Sequence, residues 1–337
     1  MRGFSLFLSG LLFAGASLAV EYYVDSANSY ASDASTGTLE RPFLTIQHAA
    51  DIAVAGDTVF VKTGTYNEHV APANSGVRGK PIVFKSLPRR TALVRGFRTP
   101  GADYITIEGF NITNSLPAWD QQFGVFIRSD HVEVIDNYFY DIKANAIQGD
   151  WGADVPEFAY VARNEIYHCQ SGIGITGLGW IVEKNEVRRL FQYGGGDCDY
   201  SRFFGDAHII RENYFHGTNL IPSEIGTAHV DAFQTFDNNG EHARNIIVER
   251  NTCADFHQAF MGEAEFYYAS YDITFRNNLF MDGGAWGLCV QEIAQIKAYN
   301  NTFVDIAYHG IGLSGSHSTG NVVRNNIFCN VETSYWT

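Results

Sequence analysis

A chain of 337 residues with a formal net charge of −14 is a poor fit to nucleic acid, because phosphate recognition needs a basic face. Its 33 glycines, 14% aromatic residues and only 18% charged residues leave helical surface formers scarce and point to a β-rich body. The five cysteines (Cys169, Cys198, Cys253, Cys289, Cys329) are too few and too irregularly spaced for a disulfide scaffold, so they read as small buried hydrophobes.

In chain order, Met1-Arg2 followed by an apolar run from Leu6 to Leu18, with Ser17 and Ala19 as small residues before a cut, predicts a signal peptide over 1–19. The run is too short to anchor the protein in a membrane, and the mature chain is expected to be secreted, periplasmic or at the cell surface, and to act as a monomer. Tyr22-Tyr23-Val24 reads as a strand and Ser26 to Thr38 as a polar loop. In 42–53, Phe43, Ile46, Ala50 and Ala53 stand at helical spacing with Pro42 at the start, which predicts a helix capping an open end. The stretches 56–61, 64–70 and 81–86 are the first strands, and 20–100 is read as the cap and first coils.

From about Tyr104 one phrase returns: alternating apolar residues, a charged residue, Asn, then an apolar or aromatic pair. Its Asn falls at Asn137, Asn164, Asn185, Asn213, Asn251, Asn278, Asn301 and Asn326, with Gly109 read in the same slot one coil earlier. The period lies in the twenties and is stretched once, between Asn213 and Asn251. Such periods belong to solenoids whose repeats bury their apolar side only by stacking. A second phrase, opening on Ala or Gly with period-2 alternation, recurs at 146–150, 172–176, 232–236, 259–263, 287–291 and 310–314, so every coil has at least two short strands. The predicted fold is all-β, a single-stranded right-handed parallel β-helix with a short N-terminal capping helix, its site-bearing coils over 101–337. Stacking at about 4.8 Å makes the Asn residues a hydrogen-bonded column at a bend, where Asn also tolerates the left-handed conformation. Glu183, Arg211, Glu249 and Arg276 form an alternating-sign ladder on an exposed face and are read as ion pairs, outside any site. The sequence stops at Thr337 soon after an Asn phrase and without a recognisable cap, which leaves open a longer chain or a covered last coil.

The opening YYVDSAN, with GTLERPFLTIQHAADIAVAGDTVFVKTGTYNEHV, resembles the N-terminal module of secreted pectate-lyase-like β-helix proteins. The Asn-phrase coils resemble the wider right-handed β-helix superfamily, which holds polysaccharide lyases, glycoside hydrolases and mannuronan epimerases. The resemblance implies a carbohydrate-active protein with a polysaccharide or oligosaccharide as partner. No catalytic residue transfers by motif, since the Gly-His-Gly of polygalacturonases and the epimerase Asp-Pro-His are both missing from this sequence.

The site is therefore read from residues. GGGDCDYSRFFGD (194–206) interrupts the repeat, and counting back from the following strands aligns Asp199 with Asp231, Arg202 with Gln234 and Phe204 with Phe236. Stacked coils would gather Arg202, His229, Asp231, His257 and Glu263 as catalytic groups. Tyr200, Gln234, Trp151 and Phe236 are read as substrate-binding, and Asp197 and Asp199 as holding Ca²⁺. Three functions remain open at this level. A lyase would use Arg202 or His229 to neutralise a uronate or take its proton, with Tyr200 or His257 donating. A hydrolase would use two of Asp199, Asp231 and Glu263. A non-catalytic binding or surface β-helix would need none of them.

Overall fold

A computed structural model of the chain describes residues 18–114, 121–152, 155–218, 222–237, 241–264 and 269–336. The expected signal peptide lies, apart from its last two residues, outside them. Among the described residues the helices are α1, Ile46–Ile52, and the short Pro222–Ile225; everything else regular there is strand, and the strands pair in parallel from coil to coil. The expected β-helix is the fold found.

Each coil carries three strand positions, one more than the minimum read from the sequence. The first stack includes Glu133–Ile135, Tyr160–Ala162, Ile181–Glu183 and Ile209–Arg211. The second, after the Asn, includes Tyr138–Tyr140, Glu165–Tyr167, Glu186–Arg188 and Tyr214–His216. The third includes Asn145–Gly149, Ser171–Ile175, Ser201–Phe203 and Asp231–Phe236. Parallel register turns period-2 alternation into continuous inward columns. In the first stack Phe84, Ile107, Val134, Val161, Val182, Ile210, Val248 and Phe275 lie one on the next, all fully buried. In the second, Phe280 stacks on Phe303 at 5.3 Å and Phe303 on Phe328 at 5.1 Å.

The Asn column forms as expected. Side-chain Nδ2 groups donate up the column from Asn137 to Asn164, Asn185, Asn213, Asn251, Asn278, Asn301 and Asn326, at 2.9 to 3.2 Å. From Asn137 to Asn301 each backbone N–H donates to the same Oδ1 above it, and each Nδ2 in the column also donates to a backbone carbonyl. The left-handed residue, however, is the one before the Asn: Asp136, Arg163, Lys184, Glu212, Arg250, Asn277, Asn300 and Asn325 all have φ between 53° and 60°. The slots shift accordingly at the first repeat. Gly109 (φ 75°) fills the left-handed position, and Phe110 stands where the Asn would be, its N–H donating to Asn137 Oδ1 at 2.8 Å.

The capping helix is shorter than expected. It begins at Ile46, with Thr45 as N-cap accepting from the His48 N–H and Glu68 accepting from the N–H groups of Ile46 and Gln47. Pro42 lies ahead of it because Phe43 is held as a β-bridge partner of Val24. Phe43, Ile46, Ala50 and Ala53 are buried, as their spacing implied. The charge ladder pairs Arg211 with Glu183 and Arg276 with Glu249, each at 2.6 Å. All five cysteines are free; Cys169, Cys198 and Cys253 are buried, and burial pushes the Cys169 and Cys198 thiols up to about 12. Cys329 departs from the expectation and is exposed, because it sits on the outward side of its strand.

His208 ties the first stack to the site loop. Its Nδ1 accepts from the Trp180 N–H at 3.1 Å and its Nε2 donates to the Phe204 carbonyl at 2.8 Å, an arrangement only the neutral ring can make. Burial pushes its pKa down from 6.5 to about 4. A depressed histidine contributes stability that is complete above pH 6.5 and is lost as pH falls from there to about 4, on the order of 3 kcal/mol. Asp199 and Asp231, whose folded pKa values are raised, work in the opposite direction. Urea unfolding of wild type and His208→Gln at pH 7.5 and 4.5 isolates the histidine, since both proteins keep those acids. The variant is expected to lose less stability on acidification; equal losses would refute the assignment.

Candidate functional site

The third stack presents its outer face as the candidate site, and its register fixes which side chains meet. Arg202 pairs with Gly174 on one side and Gln234 on the other, and Gly174 pairs with Gln148. Asp231 pairs with Gln258, and Phe236 with Glu263. The alignment of Arg202 with Gln234 expected from the sequence therefore holds. Along the strand direction the face runs from the histidines, through the acids, to Arg202 and then to an aromatic edge.

Arg202 looks outward, its side chain 30% exposed. Its Nε donates to Asp199 Oδ2, and its Nη2 lies 3.7 Å from Asp197 Oδ2. Asp199 and Asp231 sit behind it, both fully buried. The Asp231 N–H donates to Asp199 Oδ1 at 3.3 Å, and Gln234 Nε2 donates to Asp231 Oδ2 at 3.3 Å. Burial pushes Asp199 up to about 6, against the pull of Arg202. Asp231 lies well above the usual carboxylate range, through burial first and then the charges of Asp199 and Asp197. Among the described residues, its Oδ1 and the Oε1 of Gln234 are buried acceptors with no donor. Two such atoms side by side are costly unless a proton or a ligand donor meets them.

At one edge His229 is exposed and His257 half-buried, their rings 5.0 Å apart. The His229 N–H donates to Asp197 Oδ1 at 3.1 Å, which links the pair to the carboxylates around Arg202. Burial, and then the neighbouring His229, push His257 down, so the ring favours its neutral, basic form. At the other edge a cleft of about 210 Å³ is lined by Asn145, Gln148, Trp151, Gly174, Arg202, Phe204, Phe236 and Glu241. Trp151 is 44% exposed there, and Phe204 meets Phe236 edge to face at 5.0 Å. Gly174 keeps the floor open, because a Cβ at that position would run into the Gln148 amide.

Of the residues expected at the site, Arg202, Trp151 and Phe236 line this cleft, Gln234 and Asp231 support it, and His229, His257, Asp197 and Asp199 flank it. Glu263 shares the face but lies two coils beyond Arg202, exposed, and does not line the cleft. Tyr200 is a correction. Its side chain is fully buried, the ring stacked on Phe215 at 5.5 Å and its hydroxyl accepting from the Thr218 N–H at 3.0 Å. The bend before Ser201 turns it inward, so it can neither stack on a sugar nor donate to one. Asn145, Gln148 and Glu241 were not anticipated. Gln148 carried a usable signal, since it is the polar residue of a strand phrase two coils before Arg202.

Asp197 and Asp199, expected to hold Ca²⁺, are both engaged by Arg202. Among the described residues no group of three or more His, Cys, Asp or Glu is placed to hold a metal ion. A guanidinium inside the carboxylate set does not fit a Ca²⁺ site, which needs several oxygens around one cation.

Residues 95–328 match the family described as "Right handed beta helix region". The uncharacterized protein YwoF of Bacillus subtilis is 25% identical over 90% of this chain and 67% of its own length. The pectate lyase PEL9 of Emericella nidulans is 32% identical over 77% of this chain; the chain spans only 59% of that relative. Among solved structures, an alginate lyase from Paenibacillus sp. aligns with a TM-score of 0.58 at 15% identity, over 84% of this chain and 96% of that one. A GH136 lacto-N-biosidase from Eubacterium ramulus aligns with a TM-score of 0.58 at 11% identity, over 94% of this chain and 67% of that one. At such identities the structural likenesses speak for fold.

Proposed function

This chain belongs to the right-handed β-helix family, and from that premise we propose that it is an exported carbohydrate-active enzyme cleaving a uronate-containing polysaccharide by β-elimination at Arg202. The observation that carries the reading is which group faces the cleft. Arg202 looks outward beside Trp151 and Phe236, whereas Asp199 and Asp231 are sealed behind it. A guanidinium fork matches the geometry of a carboxylate, and its charge is what a uronate brings to such a surface. Export follows from the leader expected over 1–19, and the likeness to a pectate lyase supports the same substrate chemistry.

In this mechanism Arg202 receives the uronate carboxylate and neutralises it, which lowers the cost of building negative charge as the C5 proton leaves. His229, on the coil next to Arg202 and 5.0 Å from the His257 ring, takes that proton. The C5–H electron pair becomes the C4–C5 double bond, the C4–O bond breaks, and the leaving oxygen takes a proton from water in the open groove. Asp197 and Asp199 position the guanidinium.

A second reading, glycoside hydrolysis, draws on one observation. Asp199 and Asp231 are stacked carboxyl groups that burial raises above the usual carboxylate range, as a carboxyl that holds a proton for a leaving group requires. It requires Arg202 to swing aside, because neither carboxyl reaches the cleft. Incubation of the mature protein with acidic and neutral polysaccharides, following ultraviolet absorbance of an unsaturated uronate together with reducing ends, separates the readings. Both rising on an acidic glycan, with chelator making no difference, is the expected result. Reducing ends alone would move the reaction to the carboxylates, and silence across the panel would favour a binding protein.

A further inference from the structure

The cleft that holds Arg202 continues past Phe204 into a second chamber of about 210 Å³; the two share Trp151, Phe204 and Glu241. The second chamber has the opposite electrical character. Asp206 and Glu241 are its carboxylates, and no Lys or Arg lines it among the described residues. Its one basic group, His242, has Nε2 only 3.0 Å from Asp206 Oδ2. Arg128, on the coils before it, is held by Asp150 at 2.9 Å. The floor is backbone: a Cβ on Gly177 would run into the Pro156 carbonyl, and one on Gly205 into that of Gly177. Over this floor Trp151 offers a flat apolar face.

A bare floor, an aromatic wall and hydrogen-bond acceptors suit a pyranose ring that carries hydroxyl donors and no charge. A uronate placed there would bring its carboxylate against Asp206, and against Glu241 without the guanidinium that offsets it in the first cleft, so like charges repel. We infer that the second chamber is a neutral-sugar subsite, so that the substrate is a heteropolymer carrying a neutral pyranose next to the uronate at Arg202 and not a run of uronates. The uronate half of this statement rests on the β-elimination reading; the neutral half rests on the chamber's own lining.

Calorimetric binding of two tetrasaccharides, one alternating uronate and neutral hexose and one all uronate, tests it whether or not either is cleaved. Wild type is expected to bind the alternating ligand about tenfold more tightly or better, a difference of roughly 1.4 kcal/mol. Glu241→Lys should bring the two affinities together or reverse them, and Glu241→Gln should narrow the gap. Equal or tighter binding of the all-uronate ligand by wild type would overturn the subsite. Unsaturated product is read separately on both polymers: its absence counts against β-elimination, while the affinity ratio still decides the neutral subsite.

Discussion

Arg202→Ala is expected to lower kcat/KM on an acidic glycan by about a hundredfold or more, roughly 3 kcal/mol of transition-state stabilisation. The loss should appear in kcat as well as KM, because the guanidinium meets a charge that grows as the C5 proton leaves. Arg202→Lys should recover only part of it, since an ammonium keeps the charge but loses the fork. Folding should change far less. Arg202 is partly exposed, and Asp199 and Asp231 already sit above the usual carboxylate range, so without the arginine they can take up protons and remain buried as neutral groups. Circular dichroism and the thermal midpoint of the variant separate the two effects. Full activity in a folded Arg202→Ala protein would end the assignment, whatever reaction is found.

Asn213→Ala should have the largest effect on stability. One side chain serves four buried bonds: Oδ1 accepts from the Asn185 N–H and Nδ2, both at 3.0 Å, and Nδ2 donates to Asn251 Oδ1 at 2.9 Å and the Val182 carbonyl at 3.0 Å. Alanine leaves buried partners with nothing to replace them, including the Asn185 backbone N–H, and each such group costs about 1–3 kcal/mol. A loss of about 3–5 kcal/mol in the urea unfolding free energy is expected, the upper part of the range for single substitutions. Asn326, at the top of the column and only part-buried, should lose less on the same change. A shift under about 1 kcal/mol at Asn213 would show that the column is decoration on a structure held by its apolar interior.

Both predictions concern features visible in the sequence to different depths. The Asn column was legible because a stacked solenoid converts spacing into contact, so residues recurring once per turn must lie over one another. Its local geometry was less legible: the left-handed conformation belongs to Arg163 or Lys184, residues with no preference for it, because the Asn bonds on either side hold the bend. Tyr200 shows where counting fails. Period-2 alternation assigns it a direction only while the strand is straight, and at a bend two successive side chains can both point inward.

The solenoid, its inward columns, the Asn column and the coil on which Arg202 breaks the repeat were all legible in residue order. All of these follow from periodicity, which depends on residue order alone. Tertiary structure decided which side of the site meets a ligand. It placed Asp199 and Asp231 behind the guanidinium, removed Tyr200 to the core, left Glu263 two coils away, and brought Gln148 and Trp151 from one turn and Glu241 from another to one cleft. Those outcomes depend on bend angles and on the depth to which each side chain is buried, and a repeat pattern carries no information about either.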